Sequence, residues 1–361
     1  MMCDQDRAAV FRQNIRGLLR SSWLSQREAA DEIGVRYKWI RRLCHHGLIR
    51  TDCRTQSNLD QLAEFFGVEA DDLWSPECLE QRKASSAWVL VKWTGSKRRQ
   101  ADAILGHFPS EIETYYEPFV GGGAVLQRLL GSGIKVRRIR CSDICRPLIE
   151  IWNLVVSDPR RLVRRYEQMW VELQDRGREF YYEVRRQFNE TGDPCQFFFL
   201  LRTCRLGLVR FNKRGEFTTG FHYGKGGLPP DQMKVVLEGW HERLSGQDIQ
   251  FAVRDYRSIK SRSGDFLYLD PPYKMDVPTI YFGRFDLQPF FTWLAKQRGG
   301  YALSLNGFVG GKDKTVQVPR DLYDQHRQLD SGTNPARRLN GTGLVPVTDS
   351  LYVKKRMSRE R

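Results

Sequence analysis

One string constrains this chain more than any other: Tyr116-Glu117-Pro118-Phe119-Val120-Gly121-Gly122-Gly123-Ala124-Val125. Residues 114–116 predict the end of a strand, and residues 124–130 predict the opening of a helix. Three successive glycines between them carry no Cβ, so the backbone can turn sharply and a ligand can approach it closely. Strand, glycine turn and helix also begin a dinucleotide site, but the spacing here is not Gly-x-Gly-x-x-Gly. Glu117 before the turn would repel a phosphate and suits a cationic ligand such as a sulfonium. Residues 139–143 predict a second strand ending in Asp143, an acid about 20 residues beyond the turn, the usual separation for a partner of ribose hydroxyls.

A second string, Leu269-Asp270-Pro271-Pro272-Tyr273, follows the apolar run of residues 265–269, which predicts a buried strand. Proline cannot continue the ladder, so the chain leaves the sheet there. Asp270 and Tyr273 are then left at a strand's carboxyl end, where open α/β sheets bind ligands. A carboxylate and the Pro271 carbonyl can together accept both hydrogens of an exocyclic amine, with Tyr273 to stack on a base. An enzyme that modifies a base inside a duplex must flip it into such a pocket. Read alone, either string also fits an ordinary turn at a strand end.

Together and in this order the two strings resemble those of the Dam-type DNA adenine-N6 methyltransferases, over roughly residues 89–353. Val91-Lys92-Trp93-Thr94-Gly95-Ser96-Lys97-Arg98 is similar to the family's amino-terminal signature, which implies that Trp93 lies at the cofactor and that Lys97 reaches the cofactor's methionine carboxylate. The resemblance further implies S-adenosylmethionine as cofactor. Its site would be Glu117, Pro118, Phe119, Gly121 and Gly123, with Asp143 on the ribose and the Asp255-Tyr256 pair on the adenine. Asp270, Pro271, Pro272 and Tyr273 are the implied catalytic motif. Residues 197–217 resemble the target-recognition segment, with Arg210, Asn212 and Lys213 as implied DNA contacts. Two stretches depart from the family pattern: Thr218-Thr219-Gly220-Phe221-His222 and residues 274–285. The departures leave the target sequence open while the chemistry stays the same.

Composition agrees with a polyanionic partner. The 361 residues carry a net charge of +15 and a sequence pI near 9.6. No apolar run is long enough to span a bilayer, and no signal-peptide pattern opens the chain, so the expectation is a cytoplasmic, nucleoid-associated protein without a membrane partner. The eight cysteines are scattered without a Cys-x-x-Cys pair, which predicts reduced thiols and no metal site. Pro194-Cys195-Gln196 has the look of a thiolate nucleophile for cytosine-C5 chemistry, but Cys195 precedes Phe197-Phe198-Phe199-Leu200-Leu201, a helix-core pattern. Cys195 is therefore read as a small buried hydrophobe.

The amino-terminal quarter is a different object. Residues 24–35 predict a helix with a capping box of Ser25 and Glu28 and a turn at Gly34. Residues 36–44 predict a second short helix, residues 58–68 a third, and Asp71-Asp72-Leu73-Trp74 closes the unit. This stretch resembles the Cro and phage-repressor helix-turn-helix domains. The resemblance puts Arg36, Lys38, Arg41 and Arg42 on or beside the helix that enters the major groove. A helical domain that packs against protein instead of DNA is the alternative.

The expected fold class is thus α/β: a Rossmann-like S-adenosylmethionine-dependent methyltransferase sheet with a helical target-recognition insertion, plus a small all-α helix-turn-helix domain. The expected boundaries are 1–75 for the helical domain, 76–87 for a linker, 88–157 and 247–353 for the catalytic domain, 158–246 for the insertion and 354–361 for a basic tail. The insertion is rich in Arg185, Arg186, Arg202, Arg205, Arg210, Arg214, Phe211 and Tyr223. The expected partner is double-stranded DNA, with the enzyme a monomer or weak dimer, alone or beside a cognate restriction endonuclease. N4-cytosine methylation is one alternative, although such enzymes more often carry Ser where Asp270 stands. RNA or protein-amide methylation is a second, and a DNA-binding regulator with an inactive methyltransferase half is a third.

Overall fold

The computed structural model describes residues 4–21, 26–33, 35–48, 55–56, 58–59, 62–63, 71–76, 78, 89–222, 227–272, 285–309, 311–333 and 346–355. The chain divides into two compact units. The first is Met1–Ala87 with Gly307–Lys314 and Asp330–Thr348; the second is Trp88–Asn306 with Thr315–Leu329 and Asp349–Arg361. The sequence reading had given residues 307–314 and 330–348 to the catalytic domain.

The first unit contains α1 (Asp4–Ser21), α2 (Gln26–Ile33), α3 (Tyr37–His46) and a 3-10 turn (Asp71–Trp74). The first helix is an addition to the sequence reading. Its Phe11, Ile15 and Leu18 recur at helical spacing and are fully buried with Ala29, Ala30, Ile33, Ile40, Leu43, Leu59 and Leu62. Gly47 ends α3 at φ 70°, and a Cβ there would stand 2.3 Å from the Ala8 carbonyl oxygen, so only glycine lets α1 come this close. Asn14 fastens the turn by donating to the carbonyls of Leu73 and Ser75 at 3.1 and 2.7 Å. The capping box fell on Ser25 and the Glu28 side chain, which lie outside the described residues.

The strands of the sheet are β1 (Glu111–Glu117), β2 (Lys135–Asp143), β3 (Ile249–Val253) and β4 (Phe266–Leu269), which lie wholly in the second unit, with β5 (Gly300–Val309), β6 (Lys312–Asp313), β7 (Gln325–Thr333) and β8 (Pro346–Lys354). Their order is β3-β2-β1-β4-β5-β8-β7, with β6 paired to β5. The pairs β1·β2, β2·β3, β1·β4 and β4·β5 are parallel. Every residue of β4 is buried, as a central strand covered on both faces requires. Strand order reverses between β1 and β4, and the carboxyl ends of the strands at such a reversal are where open α/β sheets bind ligands.

Helices α4 (Ala101–Leu105), α5 (Ala124–Leu130), α6 (Arg146–Ser157), α7 (Pro159–Thr191), α8 (Pro194–Thr203), α9 (Pro230–Leu244) and α10 (Leu287–Leu294) complete the unit. The predicted helix at 124–130 coincides with α5, and α7 is one element kinked at Gly177. Asp158 and Asp193 cap α7 and α8 through their side chains, each followed by a proline in the first turn. Trp152 of α6 lies flat on Phe251 of β3 at 5.0 Å and edge-on to Trp240 of α9 at 4.9 Å. Helix α9, read as part of the insertion, therefore belongs to the layer that covers the sheet. Among the described residues no helix is long and apolar enough to cross a membrane.

Candidate active site

Sheet topology brings the separated motifs to one edge. Strand β2 ends at Asp143, β1 at Glu117 and β4 just before Asp270, and these three strands are neighbours in the order β2-β1-β4. Three carboxylates thus stand side by side at the carboxyl ends of parallel strands, beside the reversal of strand order.

The glycine turn lies between two indoles. Gly121 has φ 47°, and a Cβ on it would meet Trp93 Cδ1 at 2.7 Å. Gly123 has φ 67°, and its Cβ would meet Trp152 at 2.7 Å. The Trp152 Nε1–H donates to the Gly121 carbonyl at 3.1 Å. Trp93 is thus placed against the loop. The glycines are required by these two packed rings.

Asp143 is held by the same loop. It accepts from Gly121 N–H at 3.3 Å and from Cys145 N–H at 3.0 Å. Burial pushes its carboxyl up to about 6, against the pull of these backbone donors. Ile144, the next residue, is apolar and half exposed, an unusual combination on the rim of a site and one that sequence reading passed over. Glu117 is buried, and its Oε2 accepts from the Tyr115 hydroxyl at 2.8 Å. Burial pushes the Glu117 carboxyl up to about 8; the Tyr115 hydroxyl opposes this and the Asp270 charge adds to it.

Lys97 departs from its expected role. Its ammonium is 4% exposed, lies 2.9 Å from Asp270 Oδ1 and 3.7 Å from Asp349 Oδ2, and donates to the Gly95 carbonyl at 3.2 Å. It therefore faces Asp270, whereas the resemblance implied the methionine carboxylate of the cofactor for it. Burial raises the Asp270 carboxyl to about 6, Lys97 lowers it, and Asp349 raises it. Asp349, on β8, was missed because Thr348-Asp349-Ser350 has no local signature.

Asp255 also departs. Both its oxygens are gripped by Arg257, at 2.8 and 2.9 Å, and it caps the turn Tyr256–Ser258. Tyr256 is buried against Phe119 at 5.6 Å, so these two expected cofactor residues do meet. Pro118 and Pro271 are buried and Pro272 is partly so; Tyr273 lies outside the described residues.

The expected DNA contacts sort into two groups. Residues 210–218 form a short hairpin closed by the Phe211–Phe217 bridge. Asn212 closes its turn: Oδ1 accepts from the N–H groups of Arg214 and Glu216, and Nδ2 donates to Glu216. The side chain read as a base contact is thus committed within the turn. Arg210, Lys213 and Arg214 are exposed. Asn189 of α7 holds the stem through both backbone groups of Phe217. Arg202 is buried and donates to the Val89 carbonyl, so it leaves the expected basic face; Phe211 is buried and Tyr223 lies outside the described residues. Arg185 donates to the carbonyls of Thr218 and Thr219. Cys195 is buried in the first turn of α8, in line with its reading as core. On α3 and just before it, Arg36, Lys38, Arg41 and Arg42 are all exposed.

Residues 93–285 match the family described as D12 class N6 adenine-specific DNA methyltransferase. The chain belongs to this family. The activity that goes with it is methylation of N6 of adenine in DNA. The chain is 33% identical over 202 residues to the type II methyltransferase M.MjaIII of Methanocaldococcus jannaschii, covering 51% of this chain and 68% of that protein. It is 31% identical over 192 residues to the DNA adenine methylase of Escherichia coli K12, covering 51% of this chain and 64% of that one. The chain therefore spans about two thirds of the length of these relatives. The solved rRNA methyltransferase aviRa of Streptomyces viridochromogenes aligns over 77% of this chain and 94% of its own, with 15% identity and a TM-score of 0.36.

Proposed function

We propose that this chain methylates adenine N6 by direct transfer from S-adenosylmethionine to a base flipped out of double-stranded DNA, with Asp270 as the acceptor of the amine hydrogens. The observation that carries the reading is the row of Asp143, Glu117 and Asp270 at the carboxyl ends of adjacent parallel strands. The site suits a cationic cofactor. The backbone is bare of side chain at Gly121, and a bound cation beside Glu117 would favour the ionised form of its carboxylate, which burial otherwise holds up at about 8. Asp143, Gly121 and Gly123 would hold the nucleoside end, with Ile144 as an apolar face for the adenine and Phe119 and Tyr256 beside it. Glu117 would face the positive end. When bound, S-adenosylmethionine supplies an electrophilic methyl group on a sulfonium. Asp270 and the Pro271 carbonyl accept the amine hydrogens and draw the nitrogen lone pair out of conjugation with the ring. Asp270 also holds the proton that the nitrogen loses. Lys97 occupies Oδ1 of Asp270 and leaves Oδ2 for the base. Positioning and fixed charges supply the rate, without a covalent intermediate. The test is transfer of a radiolabelled methyl group to genomic DNA followed by mapping of the modified base. Label on cytosine N4 or on RNA would overturn the assignment.

The exposed hairpin tip is the proposed reader of the target. Lys213→Ala combined with Arg214→Ala is expected to lower kcat/KM for DNA by roughly 10- to 100-fold, with unchanged affinity for the cofactor. Steady-state kinetics on an oligonucleotide and calorimetry on the cofactor check this, and equal losses in both would move the tip away from DNA.

The first unit is proposed as a helix-turn-helix domain that adds DNA affinity. Its α3 carries buried Ile40, Leu43 and Cys44 on one side and exposed Arg41 and Arg42 on the other. Arg41→Ala with Arg42→Ala is expected to weaken binding and to reduce the slope of log K against log salt by about two, since two fewer phosphates are neutralised. The methylated sequence stays the same. A methylation map that changes would place this helix in target selection.

A further inference from the structure

Among the described residues, the carboxylates of both Asp270 and Asp349 stand within ion-pair distance of the Lys97 ammonium. Asp349 belongs to a different strand, β8, and is itself buried. We propose that Asp349 is a positioning residue for methyl transfer: it shares the Lys97 ammonium with Asp270, so that Asp270 keeps an electron-rich oxygen for the adenine amine. The inference rests on the proposed role of Asp270.

An ammonium carries three donors and no acceptor. Those of Lys97 are surrounded by the Gly95 carbonyl at 3.2 Å, Asp270 Oδ1 at 2.9 Å and Asp349 Oδ2 at 3.7 Å. A buried lysine facing one carboxylate would close into a neutral pair and quench that carboxylate as an acceptor. A second carboxylate draws the ammonium partly away and leaves surplus negative charge at the centre. During transfer the amine nitrogen becomes positive, and surplus negative charge fixed beside it lowers the barrier. Among the described residues, the ionisable groups facing Asp270 are Lys97 from the segment before α4, Glu117 from the end of β1, Tyr268 on β4 and Asp349 on β8. Of these, Asp349 touches the lysine that touches Asp270.

The test compares Asp349→Asn, Asp349→Glu and Asp270→Asn in the full chain, reading kcat and kcat/KM against pH, binding of S-adenosylmethionine by calorimetry, and the melting temperature. Asp349→Asn is expected to bind the cofactor within a few-fold of wild type and to lose at least on the order of tenfold in kcat. Its acid limb moves to lower pH, because the charge that disfavours ionised Asp270 is gone. Asp349→Glu retains the charge and recovers most of the rate. An Asp349→Asn enzyme with wild-type kcat and an unmoved limb overturns the proposal, as does an even loss of rate across all pH values with the limb unmoved. Should the asparagine variant not fold, Asp349→Ser carries the same two readouts. An active Asp270→Asn enzyme would instead remove the reading on which the proposal stands, so the two failures are distinct.

Discussion

Asp270→Asn is expected to reduce methyl transfer by on the order of a thousandfold or more, while affinity for S-adenosylmethionine stays within a few-fold of wild type. The substitution keeps the shape of the side chain and a carbonyl for the Lys97 ammonium to bond, so the variant folds. It removes the charge that accepts the amine hydrogens. Burial raises the Asp270 carboxyl from its ordinary 3.8 to about 6, with Lys97 opposing the rise. In the wild type kcat/KM should therefore fall as pH drops through about 6, where the acceptor becomes protonated. The linkage to stability has the opposite sign. A carboxyl whose folded pKa lies above its unfolded one favours folding at low pH, and that contribution is lost as pH rises from 3.8 through about 6. Asp270 therefore weakens the fold at the pH where it works. Calorimetry and single-turnover rates on the same preparations check the prediction. A parallel loss of binding and turnover would move Asp270 to the cofactor.

Gly121→Val is expected to lose cofactor binding by at least a hundredfold and to melt at a lower temperature. A valine Cβ would stand 2.7 Å from Trp93 Cδ1, on a backbone with φ 47°. The left-handed conformation costs about 1–2 kcal/mol for a residue with a side chain, and overpacking adds about 1–3 kcal/mol. Either Trp93 shifts or the loop changes its path, and in both cases the Asp143 contact from the Gly121 N–H is disturbed. Adding Trp93→Ala to the valine variant relieves the clash but leaves the backbone strain. The double variant should regain part of its melting temperature without regaining affinity. Affinity equal to wild type in the single variant would show that this loop does not hold the ligand.

The parts of the site that lie within a few residues of one another were legible in the sequence. Gly121, Gly122 and Gly123 announce a turn, and the prolines at 271 and 272 announce a strand end, because each acts through its own backbone. The sheet around them followed from the strand-like runs read as ending at Tyr116, Asp143 and Leu269, the first of which extends one residue further, to Glu117. Partnerships across the sheet were not legible. The approach of Lys97 to Asp349 depends on how β8 is placed, which no local pattern encodes. Asn212 was misjudged for a different reason: in Asn212-Lys213-Arg214-Gly215 the asparagine has a turn to close, and local hydrogen bonding takes precedence over a distant ligand. Helix α1 carries Phe11, Ile15 and Leu18 at the spacing that marks an amphipathic helix, so it too is encoded locally.

The pairing of β1 with β4 sets Tyr115 beside Phe266, and all of α5 to α9 lies between them in the chain. Closing so long a loop adds little to the equilibrium cost, because that cost grows only with the logarithm of length. Its effect falls on rate. As the chain leaves the ribosome, β1 and β2 can pair early, but the seam between β1 and β4 must wait until the whole intervening segment has emerged. During that interval the flank of β1 that will receive β4 is an uncovered strand edge rich in Tyr115 and Tyr116, open to pairing with another nascent chain. Slow folding is the expected kinetic counterpart of a topology that places Glu117 and Asp270 on strands far apart in the chain.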